Sequence, residues 1–393
     1  MSIHNASRWL CPDRVFDGER LHTGLCIGIA EGRVVKLCAE ADLPVGAPRK
    51  ALSGTVTPGF VDLQVNGGGD VLLNNSPTAE TIARMAAAHR RFGTVAILPT
   101  VITDAPEVLA RAVAAALAAH GQPGILGLHI EGPHLSLARR GTHAAHHLRP
   151  LDATTLAHVA RLRRAGVAVM ITLAPEAVAP GQIAALVAMG ALVSLGHTDA
   201  SAAASRAALA EGAGCFTHLF NAMSPMLNRA PGVTGAAINS TAHAGIICDG
   251  HHVADEMIAL ALRARPIPDR MFLVSDAMAT VGGSSRFTLY GQEIRLVGGC
   301  LVNAEGSLAG AHVTLAESVA RLIEVVGVAP ETALRMAITV PAQLIGAEAL
   351  ARIKGRALSD LVHLVADPRA ARPAHEQAGE SPRPRLTAAP LRP

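Results

Sequence analysis

Short apolar runs bounded by turn residues alternate along this chain with longer stretches whose apolar positions recur at helical spacing. The strand-like runs cover residues 56–66, 94–101, 124–132, 167–176, 191–198, 215–221, 243–250 and 271–277. Ala-rich helical segments fall between many of them, among them 79–91, 106–120, 153–164, 201–211 and 253–265. Eight strands with crossover helices predict an α/β fold, a closed (β/α)8 TIM-like barrel.

The flanks read differently. Residues 1–55 hold short strands separated by turns, at Val15–Gly18, 25–30 and 34–38, and predict the first part of a small β-sandwich domain. The barrel is placed at 56–350. Within it, 287–302 carries two short strands around Gly291 and Gly298, and 316–345 carries two helices. A strand-like piece at 360–365, within 351–366, is expected to return to the small β-domain. Residues 367–393 are rich in Pro, Ala, Arg and Glu without hydrophobic periodicity, and are expected to form a disordered tail.

Composition narrows the function classes. Half of the 393 residues are hydrophobic, enough for a large core. Aromatics are 2%, so stacking platforms for single-stranded nucleic acid are not evident. The net charge of +3 comes without a Lys/Arg run, which argues against a nucleic-acid or membrane partner. The six cysteines are scattered, with no C-x-x-C pair, and suggest neither a zinc knuckle nor a disulfide framework. The first residues lack the apolar core of a signal peptide, and no apolar run is long enough for a bilayer; the expected location is cytoplasmic.

Catalytic groups of such barrels sit at the C-terminal ends of the strands, and metal-competent residues recur there. ILGLHIEGPH ends with Glu131 in reach, ALVSLGHTD with His197, CFTHLFNAM presents His218, and MFLVSDAM ends near Asp276. A lone His near a strand end is more often a structural hydrogen-bonding residue, and a lone carboxylate there often caps a helix. Four such residues on four strands shift the balance to a site. Glu131, His197 and His218 suffice to hold one divalent ion with an open position, and Asp276 can move protons. On the first strand, alternation puts Asp62, Gln64 and Asn66 on one face toward the barrel mouth. Many metal-dependent barrel hydrolases carry H-x-H there. Gln64 and Asn66 are poor transition-metal ligands, and the fourth strand offers no Lys to bridge two ions, so one metal is expected. His143 in LARRGTH could polarise a carbonyl, with His146 and His147 solvated. Arg229 lies in a turn, and His252 belongs to a polar rim, Asp249-Gly250-His251-His252.

In that order, TPGFVDLQVNGGG, LGLHIEGPHL with RRGTH, TLAPE, SLGHTDA, THLFNAM with RAPG, DGHHV and LVSDAMATVGG resemble the N-acetylglucosamine-6-phosphate deacetylases of the amidohydrolase superfamily, over roughly residues 55–350. The resemblance implies hydrolysis of N-acetylglucosamine 6-phosphate to glucosamine 6-phosphate and acetate, in amino-sugar catabolism and recycling. It implies Glu131, His197 and His218 as metal ligands, Asp276 as acid/base and His143 as the carbonyl-polarising residue. Thr142, His143, Asn221, Ala222, Leu308, Ala309 and Gly310 would line the sugar site, with Arg229 and His252 on the phosphate, partly across a homodimer interface. The ion would be zinc, with iron, cobalt or manganese as alternatives. The alternatives to this reading are a deacetylase of the galactosamine epimer or another amidohydrolase on the same scaffold, and, further off, a non-enzymatic barrel. Two departures from the family pattern stand out: His134 occupies a position where a bulky residue is common, and the proline-rich tail replaces the expected final strands.

Overall fold

The computed structural model describes residues 6–304, 306, 308–366 and 386–391. Eight strands form one parallel sheet in sequence order. They are β1 (Phe60–Val65), β2 (Thr94–Ile102), β3 (Gly127–Glu131), β4 (Ala168–Leu173), β5 (Leu192–Leu195), β6 (Cys215–Phe216), β7 (His243–Ile246) and β8 (Met271–Leu273). Residues just past β8 close the barrel onto β1. Asp276 N donates to Gln64 O at 3.0 Å and Asn66 N to Ala277 O at 2.9 Å. Every residue of β2 is buried, because one face of the strand fills the barrel and the other meets helices.

A helix follows each strand: α1 (Ala79–Arg90), α2 (Pro106–Ala119), α3 (Ala153–Arg164), α4 (Gln182–Ala188), α5 (Ala202–Ala210), α6 (Gly232–Ile238), α7 (Asp255–Ala264) and α8 (Leu315–Glu324). Their starts are written in the sequence. Thr78, Asp152 and Ser201 accept backbone N–H groups at the first turns of α1, α3 and α5. Thr314 and Glu317 form a reciprocal capping box on α8. The inner face of α2 carries Leu109, Ala112, Val113 and Ala116, all buried, and its alanines let the helix lie close to the sheet.

The run 56–66 is two elements rather than one. Gly59 separates Arg49–Pro58, a strand of the small domain, from β1. A Cβ at Gly59 would stand 2.2 Å from Val95 Cγ1, so only glycine lets the chain pass there. The two ends of the chain share one seven-stranded mixed sheet. Leu361–Ala366 returns beside Arg49–Pro58 as expected. The expectation of a structureless tail fails at Leu386–Pro390, which pairs antiparallel with Leu361–Ala366 as the outer strand. Only a short weakly apolar segment is needed there, because an edge strand draws its hydrogen bonds from a partner already in place. Residues 367–385 and 392–393 of the expected tail lie outside the described residues.

One disulfide that the cysteine spacing did not suggest joins Cys11 to Cys26. The strands Arg8–Phe16 and Leu25–Ala30 are antiparallel with Leu10 opposite Ile27, and the next step of that register brings the two thiols together. The segment 286–302 forms three antiparallel strands where two were expected. This flap packs Leu289, Ile294 and Leu301 against Leu72, Ile102 and Met278 beside the barrel mouth. Among the described residues no helix is long and apolar enough to cross a membrane.

Candidate active site

Three side chains converge just beyond the strand ends. Glu131 is the last residue of β3, His197 lies in the turn after β5, and His218 in the turn after β6. Glu131 Oε1 lies 3.1 Å from His218 Nε2 and 3.3 Å from His197 Nε2, and the two Nε2 atoms are 3.1 Å apart. Tetrahedral ligands at about 2.0–2.1 Å from a zinc ion stand ~3.3 Å from one another, so the triangle has the dimensions of three such ligands. His197 Nδ1 meets the Arg139 carbonyl at 2.9 Å. A carbonyl only accepts, so the His197 proton sits on Nδ1 and the Nε2 lone pair faces the carboxylate. The His197 Nε2 lone pair and the Glu131 carboxylate thus face one buried point beside His218 Nε2, and the residues present fit a divalent metal.

The backbone is bent to achieve this. His197, His218 and Asp276 have φ of 48°, 29° and 51°. Such left-handed conformations in non-glycine residues cost of order 1–3 kcal/mol each and cluster at functional sites. Here they turn side chains from the strand direction across the barrel mouth.

Strand β1 supplies amides to two carboxylates. Gln64 Nε2 donates to Glu131 Oε1 at 3.1 Å and to Asp276 Oδ1 at 3.0 Å, and Asn66 Nδ2 donates to Asp276 Oδ1 at 2.7 Å. The alternation expected for Asp62, Gln64 and Asn66 is the arrangement found, with Asp62 fully buried below the other two. Burial, joined by the charge of Glu131, pushes the Asp276 carboxyl up to about 6. Burial, with the neighbouring His197, holds His143 well below its ordinary value, so it is neutral.

A cavity opens above these groups. Glu131, His197, His218 and Asp276 form its floor, with His143 and Thr142 on one wall. Asn221, Ala222, His252, Leu308 and Gly310 also line it. Two expected residues do not. Ala309 is fully buried behind the wall, since its neighbours on either side take the inward positions. Arg229 lies on an exposed loop outside the lining of this chain.

The sequence model of the Amidohydrolase family matches residues 55–374. The chain belongs to the amidohydrolase family. Among its relatives, an N-acetylgalactosamine-6-phosphate deacetylase of Shewanella sp. (strain ANA-3) is 43% identical over 87% of this chain and 88% of its own. An N-acetylglucosamine-6-phosphate deacetylase of Haemophilus influenzae is 32% identical over 81% of this chain and 84% of its own. The crystal structure of N-acetylglucosamine-6-phosphate deacetylase from Pasteurella multocida superposes with a TM-score of 0.83 at 30% identity, covering 91% of this chain and 94% of that one.

Several functional partners of this amidohydrolase escape a reading of the sequence. Asp249 accepts the His252 Nδ1–H at 2.6 Å and the backbone N–H groups of His251 and His252. Burial opposes its charge, but the bond from His252 prevails and the carboxyl falls to about 2. The i, i+3 spacing was the available signal. Ile102, Ile247 and Met278 give the cavity an apolar wall and carry no chemical signal at all. His134 is buried, its ring nitrogens 3.1 Å from Thr155 Oγ1 and from Arg149 O, so that departure from the family pattern does not reach the cavity. His147, expected in solvent, is half-buried, with Nε2 3.6 Å from Asp104 Oδ1.

Proposed function

We propose that this amidohydrolase hydrolyses the acetamide of N-acetylglucosamine 6-phosphate, releasing glucosamine 6-phosphate and acetate in amino-sugar metabolism. The observation that carries the reading is the Glu131–His197–His218 triangle with Asp276 held beside it by two amides. In our reading these three residues hold one divalent ion, zinc or alternatively iron, cobalt or manganese. When bound, the ion supplies Lewis-acid activation of a water and of the acetyl carbonyl.

The chain's own groups do the rest. Asp276 Oδ1 is occupied by the Gln64 and Asn66 amides, which leaves Oδ2 to take a proton from the attacking water and return it to the departing amine. A carboxyl at about 6 is ionised at neutral pH and is still basic enough to accept that proton. Neutral His143 donates a hydrogen bond to the acetyl oxygen as charge develops on it. Gln64 and Asn66 turn their amide N–H groups to Glu131 and Asp276, and their amide oxygens are poor transition-metal ligands, which supports one ion over two. Thr142, Asn221, Ala222 and the 308–310 turn hold the sugar. His252, oriented by Asp249, meets the phosphate together with Arg229. The exposed position of Arg229 fits its delivery to the cavity of a second copy in a homodimer.

The Shewanella relative favours one further reading, the galactosamine epimer as substrate. Parallel kcat/KM measurements on both N-acetylhexosamine 6-phosphates, with metal analysis of the same sample, test both. The glucosamine reading requires the higher value for that sugar. Release of acetate from neither would sink the deacetylase assignment.

A further inference from the structure

Two histidines of the site look alike by distance and differ in what stands behind them. His143 and His197 have ring centroids 4.4 Å apart. Each offers a ring nitrogen within 4.8 Å of the other's and of a Glu131 oxygen. As a fourth protein ligand, His143 would fill the position that a hydrolytic metal site keeps open. The Arg139 carbonyl behind His197 leaves that residue's Nε2 bare. Behind His143, Nδ1 instead meets Thr103 Oγ1 at 2.7 Å.

A hydroxyl can donate or accept, and burial decides between the two. Thr103 is 1% exposed. Among the described residues, the hydrogen-bond partner of its hydroxyl is that one nitrogen. If the hydroxyl accepted from Nδ1–H, its own proton would be buried without an acceptor, a state folded proteins rarely tolerate. If it donates, both groups are satisfied. Nδ1 then carries the lone pair and the ring proton sits on Nε2.

We infer that Thr103 is a positioning residue that holds His143 as the Nε2–H tautomer, making His143 a hydrogen-bond donor into the cavity and keeping it out of the metal's coordination shell. Two neighbouring imidazoles thus carry opposite tautomers, one set by a carbonyl and the other by a hydroxyl. The surroundings fix the hydroxyl in place. Tyr290 of the flap donates its O–H to the Thr103 carbonyl. Gly132, at φ 79°, leaves room for the hydroxyl, since a Cβ there would stand 2.3 Å from Thr103 Oγ1.

The kinetic arm of the test rests on the deacetylase reading; the spectroscopic arm does not. In the metal-loaded protein with 15N-labelled histidine, a long-range 1H–15N spectrum, assigned with His143→Asn, should show His143 protonated on Nε2 and bare on Nδ1. Thr103→Val, which keeps the shape and removes the donor, should lose that pattern. Its kcat should fall roughly 10–100-fold while KM stays within about threefold, the signature of a lost transition-state donor. Thr103→Ser should restore both the spectrum and kcat. A wild-type His143 protonated on Nδ1 overturns the inference, and so does a Thr103→Val enzyme with wild-type kcat. Should Thr103→Val fail to fold, the wild-type spectrum and Thr103→Ser decide. If no sugar phosphate is hydrolysed, the proposed substrate falls while the spectrum still settles the tautomer.

Discussion

Asp62 gives a measurable handle on the barrel interior. It is fully buried on β1 and accepts the N–H groups of Gln64 and Ser275, each at 3.2 Å. Burial, only partly offset by these bonds and reinforced by the charge of Asp276, pushes its carboxyl up to about 7 from an ordinary 3.8. A carboxyl raised in the fold binds its proton more tightly in the native state than in the unfolded chain. Its contribution to stability is therefore full below about pH 4 and is lost as pH climbs to about 7. The interval from 3.8 to about 7, at about 1.36 kcal/mol per pH unit, amounts to ~4 kcal/mol. Asp62→Asn keeps the shape and an acceptor oxygen for both N–H groups but never ionises. With an unfolding entropy of roughly 2.1 cal/mol/K per residue, 393 residues give ~0.8 kcal/mol/K, so the variant should melt ~5 °C higher than the parent above pH 7.5. That advantage should vanish near pH 4. Scanning calorimetry of both proteins from pH 4 to 9 measures it. A difference that does not change with pH, or a variant less stable at pH 8, would refute the reasoning.

Other outcomes follow from the site and the sheet. Asp276→Asn should retain the metal, because Gln64 and Asn66 can still donate to its remaining oxygen, and should lose kcat by about 10²–10⁴-fold; near-normal turnover removes Asp276 from the proton path. Arg229→Ala should raise KM for the phosphorylated sugar far more than it lowers kcat, and mixing it with Asp276→Asn should recover part of the activity through hybrid dimers. Unchanged preference for the phosphorylated sugar argues against the first, and no recovery despite subunit exchange argues against the second. Chelation should abolish activity and lower Tm, with one equivalent of divalent ion per chain restoring both; a requirement for two contradicts the role given to Gln64 and Asn66. Truncation after Arg385 removes the strand Leu386–Pro390, five rungs of ladder at the sheet edge. At ~0.5 kcal/mol per exposed hydrogen bond, Tm should drop by a few degrees with kcat unchanged; an unaltered Tm would show that the strand adds nothing.

The sequence by itself determined the barrel, the small β-domain shared by both ends of the chain and the four polar residues at the strand ends. These are local signals: hydrophobic period, turn residues, and functional groups that end apolar runs. It also placed Asp62, Gln64 and Asn66 on one face, since alternation along a strand needs no knowledge of the neighbours. Tertiary structure alone decided the partners. Nothing in the spacing pairs Cys11 with Cys26, because sheet register is set by strands far apart in the chain. The order of Leu386–Pro390 was invisible because an edge strand takes its stability from the strand beside it. Gly59 ended one strand and began another through the close approach of Val95. The tautomers of His143 and His197 were hidden for the same reason. Each depends on one atom, Thr103 Oγ1 or Arg139 O, brought in from another loop, and a proton's position on a buried ring is fixed by what touches the ring and not by what precedes it in sequence.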